Sequence, residues 1–181
     1  MPIAYLDGIQ WRRGIIAGSR ALCRHTEQLN DINVFPVADG DTGTNMSGTV
    51  RSMVAALDLT RKRSIAEVAR AAADSAVVGA KGNSGTILAQ YFHGFAEALS
   101  GRMKVTTEAF GEAARRAVDY AYRSIHEPKD GTLLSVMRDW AETVYEQCRS
   151  TDDFAEVFGA SVAAARRSLD RTKRQLAVLR E

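Results

Sequence analysis

Apolar residues recur along this chain at the three- and four-residue spacing of amphipathic helices almost from end to end. Leu6, Ile9, Ile15, Ile16, Leu22 and Leu29 make one such stripe and predict a first helix over residues 5–29. Met46, Val50, Met53 and Val54 predict a second over residues 44–57. Ser64, with Glu67 three residues on, has the form of a capping box and starts a third helix that ends near Gly79. Residues 83–99, 106–125, 132–148 and 153–169 carry four more, and a short segment over 172–180 brings the number to eight; seven with a broken last helix is the alternative. No alternation of Val, Ile and Thr predicts a sheet. The alanine-rich runs 71–76 and 160–165 allow helices to approach closely. With no internal repeat, linker or second domain in the pattern, residues 1–181 read as one all-α domain.

Composition narrows the function classes. A chain of 181 residues is long enough to bury a real core, and 24 Lys and Arg against 22 Asp and Glu give no reason to expect nucleic acid as a partner. Basic residues cluster at 61–63 and 166–174, where solvated helix ends account for them. Cys23 and Cys148 form no disulfide framework, and they read as reduced and structural. His25, His93 and His126 are scattered, which speaks against zinc. No apolar run reaches the roughly 20 residues of a membrane span, and the N-terminus lacks a signal-peptide core, so a cytoplasmic location is expected.

Candidate chemistry lies between the helices. Residues 33–46, NVFPVADGDTGTNM, place Asp39 and Asp41 two residues apart among small polar residues, a spacing at which both carboxylates can reach one hard cation or an adjacent pair. Thr42, Thr44 and Asn45 follow with further oxygen and amide groups at a predicted helix start, where backbone N–H groups favour phosphate. Asp-Gly-Asp-Thr-Gly is also good turn chemistry, but no strands flank it to make a hairpin. A second loop, GAKGNSG over residues 79–85, sets three glycines around Lys81, Asn83 and Ser84 and lets backbone approach an anion. It lacks the Walker order, and a plain glycine-rich turn with a solvated Lys81 is its other reading. A third, Asp130-Gly131-Thr132 before Leu133, reads as a helix cap or as one more part of the same site.

In order and spacing, NVFPVADGDTGTNM, GAKGNSGTILAQ and DGTLLSV resemble the nucleotide-binding domain of the dihydroxyacetone kinase L-subunit (DhaL) family. The nearest likeness is to the N-terminal domain of bacterial fatty acid kinase A and of proteins that fuse this domain to a fatty-acid-binding DegV domain. The resemblance spans essentially the whole chain. It implies a barrel of about eight antiparallel helices, with ATP or ADP and two Mg²⁺ ions held by the loops at one end. Asp39 and Asp41 match the metal-binding aspartates, which are also the residues expected to carry catalysis. Asn33 stands where the dihydroxyacetone kinases have a third, earlier aspartate, as in the fatty acid kinase branch. Thr42, Thr44 and Asn45 fall near the phosphates, Gly82, Asn83 and Ser84 match the phosphate loop, Ile87 and Leu133 match apolar positions near the nucleobase, and Asp130 and Gly131 match the third loop. The implied reaction is phosphoryl transfer, to a fatty acid carboxylate presented by a DegV-type domain, fused or separate. Dihydroxyacetone phosphorylation and a nucleotide- or lipid-binding regulatory module without turnover are the other readings. The family's barrel sometimes encloses lipid. The chain stops inside an amphipathic pattern, which reads as a fragment of a longer protein whose nucleotide affinity would exceed that of this piece.

Overall fold

The Asp7 carboxylate accepts the Ile9 and Gln10 N–H groups at 2.9 Å, and the Gln10 side chain accepts the Asp7 N–H at 3.0 Å. This reciprocal capping box starts α1, Gly8–Arg24, and leaves the preceding residues extended. The computed structural model describes residues 1–175. Among them the order is β1 (Tyr5–Asp7), α1, α2 (Thr26–Asp31), α3 (Thr42–Leu59), α4 (Ile65–Gly79), α5 (Gly82–Ala98), β2 (Lys104–Thr106), α6 (Thr107–Arg123), α7 (Leu133–Gln147) and α8 (Phe154–Gln175).

The architecture is all-α with eight helices, as expected, but three details differ. The single helix expected over residues 5–29 is a strand and two helices. The Thr26 hydroxyl donates to the Cys23 carbonyl at 2.9 Å and lies 2.6 Å from Ser47 Oγ, so the chain bends after α1 and lays α2 on α3. A two-stranded antiparallel ribbon forms where no strand was expected, with Leu6 opposite Val105; three residues per strand are too few to print a two-residue period. The seventh and eighth expected helices are one element. No Gly or Pro interrupts the chain after Gly159, and Thr172 bonds back to the Leu169 carbonyl inside α8 at 2.7 Å. The rest of the expected eighth segment, 176–180, lies outside the described residues. Half of the expected capping box on α4 also forms: Ser64 Oγ accepts the Glu67 N–H at 3.4 Å, while the Glu67 carboxylate turns to Lys62 at 3.0 Å.

Successive helices from α3 to α8 pack side by side, and α1 lies across α3 and α4. The starts of α3, α5 and α7 therefore share one end of the bundle, and those of α1, α4, α6 and α8 share the other. The second end is tied by backbone bonds, Gly8 N–H to Arg63 O, Ile65 N–H to Met103 O and Phe154 N–H to Ile3 O. It also holds a continuous aromatic series. Trp11 stacks on Phe95 at 6.0 Å, Phe95 meets Phe110 edge-on at 5.1 Å, and Phe110 meets Phe154 and Phe158 at 5.4 Å each. Such pairs add about 0.5–1.5 kcal/mol each beyond area burial, so this end carries a large share of the packing energy. The alanines of α4 at 69, 72, 73 and 76 are fully buried between neighbouring helices, whereas in the run 160–165 on α8 only Ser161 and Ala164 are buried and Val162 and Ala163 are exposed. Cys23 and Cys148 are both free thiols. Among the described residues no helix is long and apolar enough to cross a membrane.

Candidate nucleotide site

At the other end, the first loop feeds α3. Asp39 is exposed and Asp41 half-buried, with Gly40 between them at φ 64°. Asp41 is the N-cap residue of α3, and its carbonyl accepts the Asn45 N–H at 2.8 Å. Its carboxylate makes no capping bond among the described residues. Two amides from the α2 side cap α3 instead. The Asn33 carboxamide oxygen accepts both the Thr42 N–H, at 3.2 Å, and the Thr42 hydroxyl, while its nitrogen donates to the Val37 carbonyl at 2.6 Å. Asn30 accepts the Thr44 N–H and donates to the Thr44 hydroxyl, both at 3.0 Å. The Asn33 oxygen expected beside a metal thus caps α3 here, and Asn30 is a site residue that sequence reasoning missed. An Asn three residues before another Asn at the end of a short helix was the signal for it.

Gly43 explains how α2 can come so close. A Cβ there would lie 2.0 Å from the Thr26 carbonyl oxygen and 2.9 Å from Leu29 Cβ, so only glycine fits between α2 and α3.

The second loop opens α5 directly beside this. Lys81 is the N-cap residue and among the described residues no side chain caps the helix start, which leaves the first N–H groups of α5 and the positive end of its dipole without a side-chain acceptor. Gly82 has φ 58°, and a Cβ on it would lie 2.3 Å from Asn45 Nδ2. Asn45, 8 % exposed, is therefore wedged against the start of α5. The Ser84 hydroxyl donates to the Thr42 carbonyl at 3.4 Å, and Gly85 passes against Thr49. Thr42, Asn45, Gly82 and Ser84 are thus brought into one place. Thr44 and Asn83 are exposed on its rim, and Ile87 is buried one turn below.

The third loop precedes α7 at the same end. Gly131 is buried at φ 82°, Thr132 caps Leu134 N–H at 3.3 Å, and Leu133 is half-buried against the core. Among the described residues no hydrogen bond joins Gly131 or Leu133 to the first two loops. Asp130 is engaged by Ser135 and Arg138, neither of which the sequence pattern singled out.

Two acidic side chains with oxygen chemistry at one helix start, beside an uncapped second helix start, can hold a hard cation and a phosphate chain together. Among the described residues no group of three or more His, Cys, Asp or Glu gathers as a closed metal cage. Asp39 and Asp41 offer carboxylate oxygens, the ligand type that a hard cation such as Mg²⁺ takes.

An all-helical domain whose helix starts converge on an acidic and a glycine-rich loop is the class that these observations define. Comparison with known proteins agrees: the DAK2 domain family model matches residues 36–181. The chain belongs to the DAK2 domain family, a kinase-related nucleotide-binding module of DhaL type. It is similar to an uncharacterized protein of Staphylococcus saprophyticus, with 36 % identity over 179 residues, 99 % of this chain and 32 % of the relative. Uncharacterized proteins of Staphylococcus epidermidis and Staphylococcus aureus are 33 % and 32 % identical over the same length, again 99 % of this chain and 32 % and 33 % of theirs. The chain spans about a third of the length of the curated relatives it matches.

Proposed function

We propose that this domain binds ATP with Mg²⁺ and transfers the γ-phosphoryl group to the carboxylate of a fatty acid held by a DegV-type domain or partner, giving an acyl phosphate. The observation that carries the nucleotide half of this reading is the contact between the start of α3, which Asp41 N-caps, and the uncapped start of α5, through Thr42, Asn45, Gly82 and Ser84, with Asp39 two residues before Asp41 in the same loop. The acceptor half rests on the sequence resemblance.

Asp39 and Asp41 would hold the cations. Bound Mg²⁺ neutralises charge that phosphoryl transfer spreads over the phosphate oxygens. The α5 N–H groups and the Asn45 amide would orient the phosphates, and Thr42 and Thr44 would offer hydroxyls from the start of α3. Two carboxylates and a neutral amide carry little charge for two ions, so the second ion would lean on phosphate and water. Asn33 would join it only by releasing Thr42. A fatty acid carboxylate is already ionised near pH 7, so no general base is needed from this chain.

Calorimetric titration with ATP, with and without Mg²⁺, on the wild type and Asp41→Asn tests the site. Saturable binding that needs both Mg²⁺ and Asp41 is expected; Mg²⁺-independent binding, or full binding by Asp41→Asn, would refute the assignment. Transfer is tested by supplying either a fatty acid on its carrier or dihydroxyacetone. Phosphorylation of the second alone would move the protein to the dihydroxyacetone kinases, and binding without either product would make it a regulatory module.

A further inference from the structure

The third loop is held from beneath by a chain of side chains that the proposed chemistry does not use. The Gly131 N–H donates to Ser135 Oγ at 3.0 Å, and the Ser135 hydroxyl, on a residue 1 % exposed, donates to Asp130 Oδ1 at 3.0 Å. The same carboxylate oxygen accepts Arg138 Nη1 at 2.9 Å. Arg138 Nη1 also donates to the Tyr122 hydroxyl of α6 at 3.0 Å, and its Nε lies 3.6 Å from Asp139 Oδ1. Asp139 in turn accepts Ser168 Oγ at 2.6 Å and Arg171 Nη2 at 2.5 Å from α8. One guanidinium thus joins the loop to α6, α7 and, through Asp139, to α8.

This arrangement exceeds what capping α7 requires, because Thr132 already caps it. Gly131 sits buried in a left-handed conformation with its N–H committed to Ser135, and the direction of Asp130 decides where Ser135 can point its proton. Arg138 fixes that direction. Leu133, two residues past Gly131, inherits its place from the same lock.

We propose that Arg138 is a positioning residue for the nucleoside end of the bound nucleotide: by holding Asp130 it sets Gly131 and Leu133 where base and ribose meet the domain. This rests on the nucleotide reading above, in which the phosphates lie on the first two loops and not on the third. Loss of Arg138 should therefore weaken binding of the nucleoside while leaving the phosphate cradle intact, which a general loss of stability would not do.

The test is calorimetry on the full chain with Mg·ATP and, separately, Mg·tripolyphosphate, for wild type, Arg138→Gln, Arg138→Lys and Tyr122→Phe. Arg138→Gln should raise the Kd for ATP about tenfold and that for tripolyphosphate by less than about twofold. Arg138→Lys keeps the charge but not the fork that spans Asp130 and Tyr122, and should fall between. Tyr122→Phe leaves the Arg138 contact to Asp130, so it should fold even if Arg138→Gln does not, and should shift the ATP-to-tripolyphosphate ratio in the same direction by a smaller factor. Equal weakening toward both ligands, or no change toward either, would overturn the proposal. A wild type that binds neither ligand would instead remove the nucleotide reading and this inference with it. A wild type that binds both with a ratio indifferent to Arg138 and Tyr122 would overturn the inference alone.

Discussion

Replacing Gly82 with alanine separates the cost of the backbone from the cost to the site. At φ 58° an alanine is in the left-handed region, which disfavours an L-residue by about 1–2 kcal/mol. For a domain of this size that lowers the melting temperature by about 2–4 °C per kcal/mol. The new Cβ would also lie 2.3 Å from Asn45 Nδ2 and 3.1 Å from its Cγ. The carboxamide is the end of a side chain and can swing aside, so the fold should survive, but the amide then leaves its place between the first two loops. A hydrogen bond to a charged group is worth about 1.5–3 kcal/mol, so Mg·ATP affinity should fall by roughly ten- to a hundredfold. Gly48→Ala is the matched control. Gly48 lies inside α3 with no atom within 4 Å of a Cβ, so alanine there should stabilise by about 0.5–1 kcal/mol and leave binding unchanged. Thermal unfolding and calorimetry on the two variants read both quantities. A Gly82→Ala protein that melts with the wild type and binds Mg·ATP as tightly would refute the reasoning, since neither the left-handed turn nor the seat of Asn45 would then matter.

Tyr91 is 9 % exposed, and its hydroxyl is buried without a hydrogen-bond partner among the described residues; burial drives its pKa far upward. Tyr91→Phe removes an unsatisfied polar atom and should stabilise the domain by about 1 kcal/mol in urea denaturation, whereas a loss of stability would mean the hydroxyl is satisfied in solution. Asp139 shows the opposite case. Burial pushes its pKa up, but Ser168, Arg171 and Arg138 prevail and hold it below the usual carboxylate value. A depressed folded pKa gives stability that is present above the unfolded value of about 3.9 and is lost as pH falls through the folded one. Asp139→Asn should therefore melt below the wild type at pH 7, with the gap closing under about pH 4; a gap independent of pH would point to lost packing instead.

Helix periodicity made the helical class and most element bounds legible, because α3 to α7 each present a buried face at regular spacing. It failed where local hydrogen bonding overruled the period. Asp7 and Gln10 set a helix start inside a stripe that began at Leu6, and Thr26 broke the same stripe to reach Ser47. The ribbon escaped because its pairing is between residues about a hundred positions apart in the chain, and nothing local in Tyr5–Asp7 requires Lys104–Thr106. The first two site loops were legible through Asp, Gly and Thr at fixed spacing. Asn30, Ser135 and Arg138 were not, because an amide, a hydroxyl and a cation on helices are ordinary residues until the fold aims them.

Those three residues show how the site end can remain polar without collapsing. Burying polar loops would leave backbone groups unsatisfied, so α3, α5 and α7 must begin near solvent while their first turns stay fixed. Each start is fixed from behind by a different device: α3 by the amides of Asn30 and Asn33, α5 by the fit of Gly82 against Asn45, and α7 by Ser135 and Arg138 acting on Asp130. None of the three uses Asp39 or the uncapped N–H groups of α5. Asn30, Ser135 and Arg138 thus supply rigidity without being spent on the ligand, whereas Asn45 both seats the start of α5 and faces the phosphates of the proposed site. The aromatic series at the far end ties the helices together where the three starts do not lie. Substitutions in the aromatic series should therefore act on stability first, and those in the three devices on binding first.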